Sequence, residues 1–405
     1  SPETLDRLVS AMTHRGPDGE SRLRVGGTTL VHRRLAIIDL QTGAQPFQDS
    51  EGTSLIANGE IYNYRELAAK MPEGTLSTKS DCELPLHLYR FYGLDFTAHL
   101  RGMYALAIYD EKKNRLILAR DPFGIKPLYY VEKSGHFAFA SEPQALVQAG
   151  FSSRTPSLTA CEELLNRQFI RGRCTAFADI KRVLPGETLV IEQGKIVGKR
   201  RVAALPADGP CEHDDVSLEA RLDEIFSDSV DVHQRSDVPY GMFLSGGVDS
   251  SALLAMMARL NSDPVLTYTA GFDSDSVADE RIQARSVADA VGATHVEVIV
   301  TRQDFWRDLP AIAAVLDDPC ADYAVVPSFE LARVASKDVK VVLTGEGGDE
   351  LFAGYGRYRR ALRPRWLGGR ESRMHGLFDR MNLFRTPNSA RMCNHSGPKL
   401  FPDSQ

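Results

Sequence analysis

The stretch Ser245-Gly246-Gly247-Val248-Asp249-Ser250-Ser251 constrains this chain more than any other. The apolar run 238–244 precedes it and reads as a buried strand. Ala252-Leu253-Leu254-Ala255-Met256-Met257 follows and reads as a helix. A glycine-rich turn between a strand end and a helix start points successive backbone N–H groups outward, and the helix dipole adds partial positive charge. Such a joint is a phosphate cradle. It is not the Walker type, because G-x-x-x-x-G-K-S/T occurs nowhere in the chain. An ordinary strand–turn–helix joint can also carry two glycines, but here strand, loop, acid and helix arrive in order.

A second glycine-rich loop, Thr344-Gly345-Glu346-Gly347-Gly348-Asp349-Glu350, follows the apolar run 339–343. Strand signals at 238–244, 265–270, 295–300 and 339–343 alternate with helical spacing at 252–260, 280–291, 304–315 and 327–335, after a helix over 218–232. This alternation predicts a doubly wound parallel sheet, with ligands outside the carboxyl ends of its strands. Both loops then share one sheet edge. Asp249 and Asp349 are candidates to hold Mg²⁺, which takes carboxylate and phosphate oxygens. Glu346 is a candidate base for an incoming amine. Solvated acids in a glycine-rich turn are the bland alternative.

The first part of the chain is organised differently. Short strand signals occur at 28–31, 35–40 and 54–57, the last running into Asn58-Gly59 as a turn. Residues 104–109 and 115–119 read as a hairpin about Asp110-Glu111-Lys112-Lys113-Asn114. Leu5, Leu8, Val9 and Met12 have helical spacing, as do Leu84, Leu88 and Phe91. The mixture predicts sheets packed between helices. Residues 205–215 are rich in Pro, Gly and acids and read as a linker. The expected organisation is therefore a domain over 1–200, a linker over 201–216 and a second domain over 217–405.

At 405 residues, two or three domains are expected. A net charge of −6 argues against nucleic acid as the main partner. Six scattered cysteines without a C-x-x-C suggest reduced thiols in a cytoplasmic protein. No apolar run approaches the roughly 20 residues that span a bilayer, and no signal peptide is visible, so no membrane partner is expected.

The loop S-G-G-x-D-S resembles the pyrophosphate-binding loop (PP-loop) of the ATP pyrophosphatases, which cleave ATP between its α and β phosphates and transfer AMP to a substrate oxygen. Together the two loops resemble the synthetase domain of the glutamine-hydrolysing asparagine synthetases. His14-Arg15-Gly16-Pro17-Asp18-Gly19, Arg34-Leu35-Ala36-Ile37-Ile38-Asp39, Asn58-Gly59-Glu60-Ile61-Tyr62-Asn63, Ser80-Asp81-Cys82-Glu83 and Arg120-Asp121-Pro122-Phe123-Gly124 are similar to the glutaminase half of that family. The resemblance implies an α+β, N-terminal-nucleophile (Ntn) hydrolase-like αββα sandwich followed by an α/β domain of the PP-loop type. It implies that Arg34 pairs the glutamine α-carboxylate and that Glu60 and Asp81 hold its α-ammonium. The Asn58 side chain and the Gly59 N–H would form the oxyanion hole. Leu244, Ser245, Gly246, Gly247, Asp249, Ser250, Ala270, Gly345 and Glu346 would line the ATP site. The implied partners are glutamine, ATP with Mg²⁺, a small carboxylate acceptor such as aspartate, and a second copy in a homodimer.

Two departures stand out. The family's nucleophile is a cysteine at the mature N-terminus, whereas Ser1-Pro2-Glu3 reads as an N-cap, a proline at N1 and a first-turn acid. Cys82 is internal and reads as packing. The expectation is that a segment carrying the cysteine lies upstream. The pattern also fades after Arg360, and Lys399 lacks the context of the family's adenylate-stabilising lysine, so the synthetase domain reads as incomplete at its C-terminal end and the acceptor is not legible. A β-lactam-synthetase-like ligase without glutaminase activity and an ATP- or glutamine-sensing module are the competing readings. The intact Arg34, Asn58-Gly59-Glu60 and Asp81 argue against the first of these.

Overall fold

Nearly every position of two neighbouring strands, β4 (Thr53–Ile61) and β5 (Gly102–Asp110), is buried, as expected for strands covered on both faces. The computed structural model in which they lie describes residues 2–133, 135–205, 214–273, 279–322, 324–356 and 358, without the side chain of Asp215. Ser1 and the tail from 361 onward lie outside the described residues.

The chain divides into two compact units. The first comprises Ser1–Tyr240, Trp306–Val326 and Ser336–Val341. It opens with α1 (Pro2–Ala11), β1 (Gly19–Val25) and β2 (Thr28–Arg34). After β3 (Phe47–Gln48) and β4 come α2 (Tyr64–Ala68) and α3 (Leu84–Tyr92). Strand β5 then forms a hairpin with β6 (Arg115–Arg120), in the register Ala105↔Arg120 to Asp110↔Arg115. Next are β7 (Tyr129–Lys133), β8 (His136–Ala140), α4 (Pro143–Gln148), α5 (Leu158–Arg167), β9 (Lys181–Arg182), β10 (Glu187–Glu192), β11 (Lys195–Arg201) and α6 (Asp215–His233). A six-stranded sheet has the order β11-β10-β6-β5-β4-β3, beside a three-stranded sheet β8-β7-β9 and the ribbon β1-β2.

Period-two alternation sets the layers. Leu55, Ala57, Leu106, Ile108, Ile117 and Ala119 pack with Leu86, Leu88 and Tyr89 of α3. Ile56, Ala105, Ala107 and Leu118 point the other way, against Leu30, Leu128, Tyr130 and Val183. Beyond them, Tyr129, Val131 and Ala140 pack on Leu146 of α4 and on Leu8 and Met12 of α1. The succession is helix, sheet, sheet, helices.

The second unit comprises Gly241–Phe305, Pro327–Ala335 and Val342–Gln405. Its strands are β12 (Tyr240–Phe243), β13 (Leu266–Phe272), β14 (Thr294–Val300) and β15 (Val341–Leu343), in the order β14-β13-β12-β15. Strand β13 runs parallel to both β12 and β14. Helices α7 (Val248–Leu260), α8 (Arg281–Val291), α9 (Arg302–Val315), α10 (Val325–Ala335) and α11 (Gly348–Phe352) alternate with these strands along the chain, most of α9 being counted with the first unit. The spatial order reverses between β12 and β15, and such a switch point is where open α/β sheets place ligands. Both glycine-rich loops begin there.

Three sequence expectations need correction. Residues 35–40 form no strand. Their carbonyls are taken by a side chain instead: the Arg34 guanidinium donates to Asp39 O at 2.5 Å and Ile38 O at 3.4 Å, and Asp39 turns at φ 52°. Asn58-Gly59 is no turn. Both residues continue β4, because Gly59 lets the β5 backbone come so close that a Cβ would sit 2.1 Å from Met103 O. Phe91 is exposed, since α3 buries the consecutive run Leu84–Tyr89 rather than a single stripe.

Candidate functional site

A cavity of about 260 Å³ lies in the first unit. Arg34 reaches it from the end of β2, Asn58, Gly59 and Glu60 from β4, and Asp81 from the short turn Asp81–Glu83. The five residues expected to recognise an amino acid therefore line one cavity. The chain folds this way locally because Glu83, just past Asp81, gathers the preceding loop. Its carboxylate accepts the N–H and hydroxyl of Ser77 at 2.8 and 2.7 Å and those of Thr78 at 2.7 and 2.6 Å. Burial opposes the Glu83 charge, but these donors and His87 hold its carboxyl down at about 2.

The two carboxylates of the cavity are buried. Glu60 and Asp81 are 8% and 3% exposed. Burial first, and repulsion from Asp81 second, raise the Glu60 carboxyl to about 7, with Lys126 opposing. Burial raises Asp81 to about 6, although Asp81 accepts the Ile61 N–H at 2.7 Å. Two carboxylates under such pressure favour a cationic ligand group. Arg34 is held by the loop carbonyls, and Asn58 Nδ2 donates to Ser141 Oγ at 3.4 Å. Cys82 donates its thiol to Gly59 O at 3.3 Å, and burial keeps that thiol protonated, which suits packing.

In the second unit, Leu244 ends the strand path and its N–H bonds Tyr268 O at 2.9 Å. Gly246 adopts φ +74°, where a Cβ would strike Gln283 Cβ at 2.9 Å. The buried Ser250 ties the loop: its hydroxyl accepts Ser245 N at 3.3 Å, lies 3.0 Å from Ser245 Oγ and donates to Gly247 O at 3.1 Å. Asp249 sits exposed in the first turn of α7. The second loop abuts this turn. A Cβ on Gly345 would lie 3.0 Å from Ser250 N, and one on Gly348 would lie 2.5 Å from Asp249 Cγ. Ala270, on β13, pairs with Val298. Glu346 is exposed, and the Asp349 carboxylate turns toward Gly354.

The loops thus fit a hard cation only in part. Asp249 and Asp349 offer oxygen donors, and glycine at 348 leaves room for the first. Among the described residues no three ligating side chains gather, so a Mg²⁺ ion there would need phosphate oxygens and water.

The sequence reading missed Lys126 and His32 on the cavity wall. Burial lowers His32 to about 4; its Nε2 lies 3.3 Å from Ala57 O, and its Nδ1 is buried without a hydrogen-bond partner. Lys126 follows the Asp121-Pro122-Phe123-Gly124 turn by two residues. That acid-Pro-x-Gly signal marks a loop pinned enough to aim a side chain.

Residues 1–201 match the family model of the glutamine amidotransferase domain, and residues 221–395 match that of asparagine synthase. Asparagine synthetase 1 (glutamine-hydrolysing) of Bacillus subtilis strain 168 is 37% identical over 364 residues, covering 89% of this chain and 57% of that protein. A protein of Methanocaldococcus jannaschii, provisionally described as glutamine-hydrolysing asparagine synthetase 2, is 31% identical over 377 residues, covering 87% of this chain and 72% of that protein. Amidase chyE of Penicillium rubens is 33% identical over 390 residues, covering 89% and 56%. The two matches define a glutamine amidotransferase domain followed by an asparagine synthase domain. The chain belongs to the glutamine-hydrolysing asparagine synthetase family. It spans 57% of the length of the Bacillus relative. No helix among the described residues is long and apolar enough to cross a membrane.

Proposed function

We propose that this chain works in a glutamine-dependent amidotransferase that adenylates a carboxylate with ATP and amidates it with ammonia taken from glutamine. The first unit is read as an Ntn-hydrolase sandwich and the second as a PP-loop domain. The carrying observation is the convergence of Arg34, Asn58, Gly59, Glu60 and Asp81 on one cavity. Glu60 and Asp81 receive the α-ammonium of glutamine, whose charge relieves their repulsion. Arg34, already fixed by the 38–40 loop, offers its remaining N–H donors to the α-carboxylate. The Asn58 amide and the Gly59 N–H stabilise negative charge on the amide oxygen during cleavage.

In the second unit the 245–250 loop and the α7 N-terminus hold the pyrophosphate part of ATP. Asp249 and Asp349 would hold Mg²⁺, which supplies charge neutralisation as pyrophosphate leaves. Glu346, exposed at the loop, takes a proton from the incoming amine. Aspartate is the proposed acceptor. The test is calorimetric titration of the full chain with glutamine, together with ATP/pyrophosphate exchange in the presence of aspartate. Asp81→Asn should weaken glutamine binding by about 2–3 kcal/mol, because a charge-assisted contact is lost. Glutamine affinity unchanged by that substitution would overturn the cavity assignment. Exchange with other acids but not aspartate would overturn the acceptor.

A further inference from the structure

In the glutamine reading Arg34 takes the α-carboxylate and Asp81 the α-ammonium, yet the two come from segments far apart in sequence. One residue touches both segments. The Asp39 carbonyl accepts Arg34 Nη2 at 2.5 Å, and the Asp39 carboxylate accepts the Lys79 N–H at 3.0 Å, two residues before Asp81. The same carboxylate accepts the Thr42 N–H at 2.9 Å and the Thr42 hydroxyl. Ser80 carries the link onward: its hydroxyl accepts the Cys82 N–H at 3.3 Å and caps the turn that holds Asp81. Burial opposes the Asp39 charge, yet the Thr42 and Lys79 donors hold its carboxyl below the usual carboxylate range.

Asp39 does not line the cavity, and it is fixed from behind by residues that do not line it either. Its N–H donates to Asp237 Oδ2 at 2.7 Å, and the Asp237 N–H donates to Ile37 O at 3.1 Å. The Asp18 carboxylate accepts the Ala36 N–H at 2.9 Å and Lys340 Nζ at 2.7 Å, and the Asp18 N–H donates to Arg34 O at 2.9 Å. All these residues belong to the first unit. The 34–39 loop has no ladder partner, but its backbone is held at 34, 36, 37 and 39. Glycine at 43 permits the approach of Arg34 to Asp39. A Cβ there would lie 2.7 Å from Arg34 Nη2 and 2.8 Å from Asp39 O, so a methyl group would part the two.

We propose that Asp39 is a positioning residue that sets the separation of Arg34 from Asp81, so that the cavity receives the α-carboxylate and the α-ammonium of one amino acid together. The proposal rests on the glutamine reading of that cavity. Two charged groups on one α-carbon have a fixed spacing. A ligand gains from both contacts in full only where the protein holds their partners at that spacing beforehand. Asp39 does this without touching the ligand, through its carbonyl toward Arg34 and its carboxylate toward the turn of Asp81. A ligand that carries only one of the two charges needs no such spacing.

The experiment titrates the full chain by NMR with glutamine, with glutaramate, which lacks the α-amine, and with γ-aminobutyramide, which lacks the α-carboxylate. Asp39→Gly removes the carboxylate tie and suits the left-handed backbone at φ 52°. It should weaken glutamine binding by about tenfold and leave both single-charge ligands at native affinity. Gly43→Ala keeps Asp39 whole and loosens the tie from the other side. It should weaken glutamine and glutaramate by a similar factor and leave γ-aminobutyramide at native affinity. Native glutamine affinity in either variant would overturn the proposal. So would an equal loss for all three ligands, which would mean that the residue supports the cavity as a whole rather than its spacing. A native chain that binds none of the three would instead overturn the glutamine reading, and this proposal with it.

Discussion

Gly348→Ala isolates the proposed metal ligand from the rest of the synthetase unit. A Cβ at 348 would lie 2.5 Å from Asp249 Cγ and Oδ2 and 3.0 Å from Oδ1. Ordinary contact needs about 3.5 Å, so the carboxylate must retreat by about 1 Å. It can do so, because it ends an exposed side chain and the three atoms nearest the new methyl all belong to that side chain. Gly348 opens α11, where alanine costs nothing in conformation and can add about 0.5 kcal/mol by restricting the unfolded chain. Folding should therefore survive. Metal binding should not, because Mg²⁺ holds its oxygens at about 2.1 Å in near-octahedral geometry and a 1 Å displacement breaks that bond. The affinity for ATP with Mg²⁺ should fall by about 10- to 100-fold, while the affinity for ATP in EDTA stays native. Calorimetry under both conditions, beside a thermal melt, reads the difference. A variant that keeps the full Mg²⁺ enhancement of ATP binding would refute the assignment of Asp249.

The remaining predictions concern single side chains. Ser250→Ala removes the hydroxyl that ties Ser245 to Gly247 and should weaken ATP binding about tenfold with a loss of about 1 kcal/mol in stability, measured by calorimetry and melting. Glu83→Gln leaves two loop donors facing an amide and should destabilise the first unit by about 2–5 kcal/mol in urea. Because the Glu83 carboxyl sits near 2 when folded and near 4.5 otherwise, its contribution exists above that higher value and is lost as pH falls toward the lower. Glu83→Gln should therefore show a flatter stability curve across that acid window. Glu60 has the opposite sign: held near 7 when folded, it stabilises below about 4.5 and that contribution is lost as pH rises through 7, so Glu60→Gln should flatten the decline.

Much of the second unit was legible because its elements are locally consistent. Residues 265–270 and 295–300 are rich in β-branched residues, and they appear as β13 (Leu266–Phe272) and β14 (Thr294–Val300) with ends shifted by a residue or two. The Ser245–Ser251 loop was legible because two glycines and an acid stand between an apolar strand and an apolar helix. In the first unit the same local logic failed at two places, for a shared reason. At 35–40 the apolar residues suggest a strand, but the Arg34 side chain removes the need for a ladder partner. At Asn58-Gly59 the dipeptide suggests a turn, but the glycine is required by a strand that arrives more than forty residues later.

Lys126 was invisible for a related reason. A lysine after a Pro-x-Gly turn is ordinarily a solvated surface residue. What makes this one different is that it lines a cavity to which Glu60 and Asp81, distant in sequence, also contribute. That is a property of the assembled cavity, and burial turns weak charge preferences into decisive ones. On the proposed reading, the motif residues Arg34, Glu60 and Asp81 match the charges of an amino-acid ligand. Lys126 and His32 join them on the cavity wall through packing, and only the turn before Lys126 carries a local signal. The sequence pattern therefore suggests the ligand, while packing of distant segments assembles the groups that would surround it.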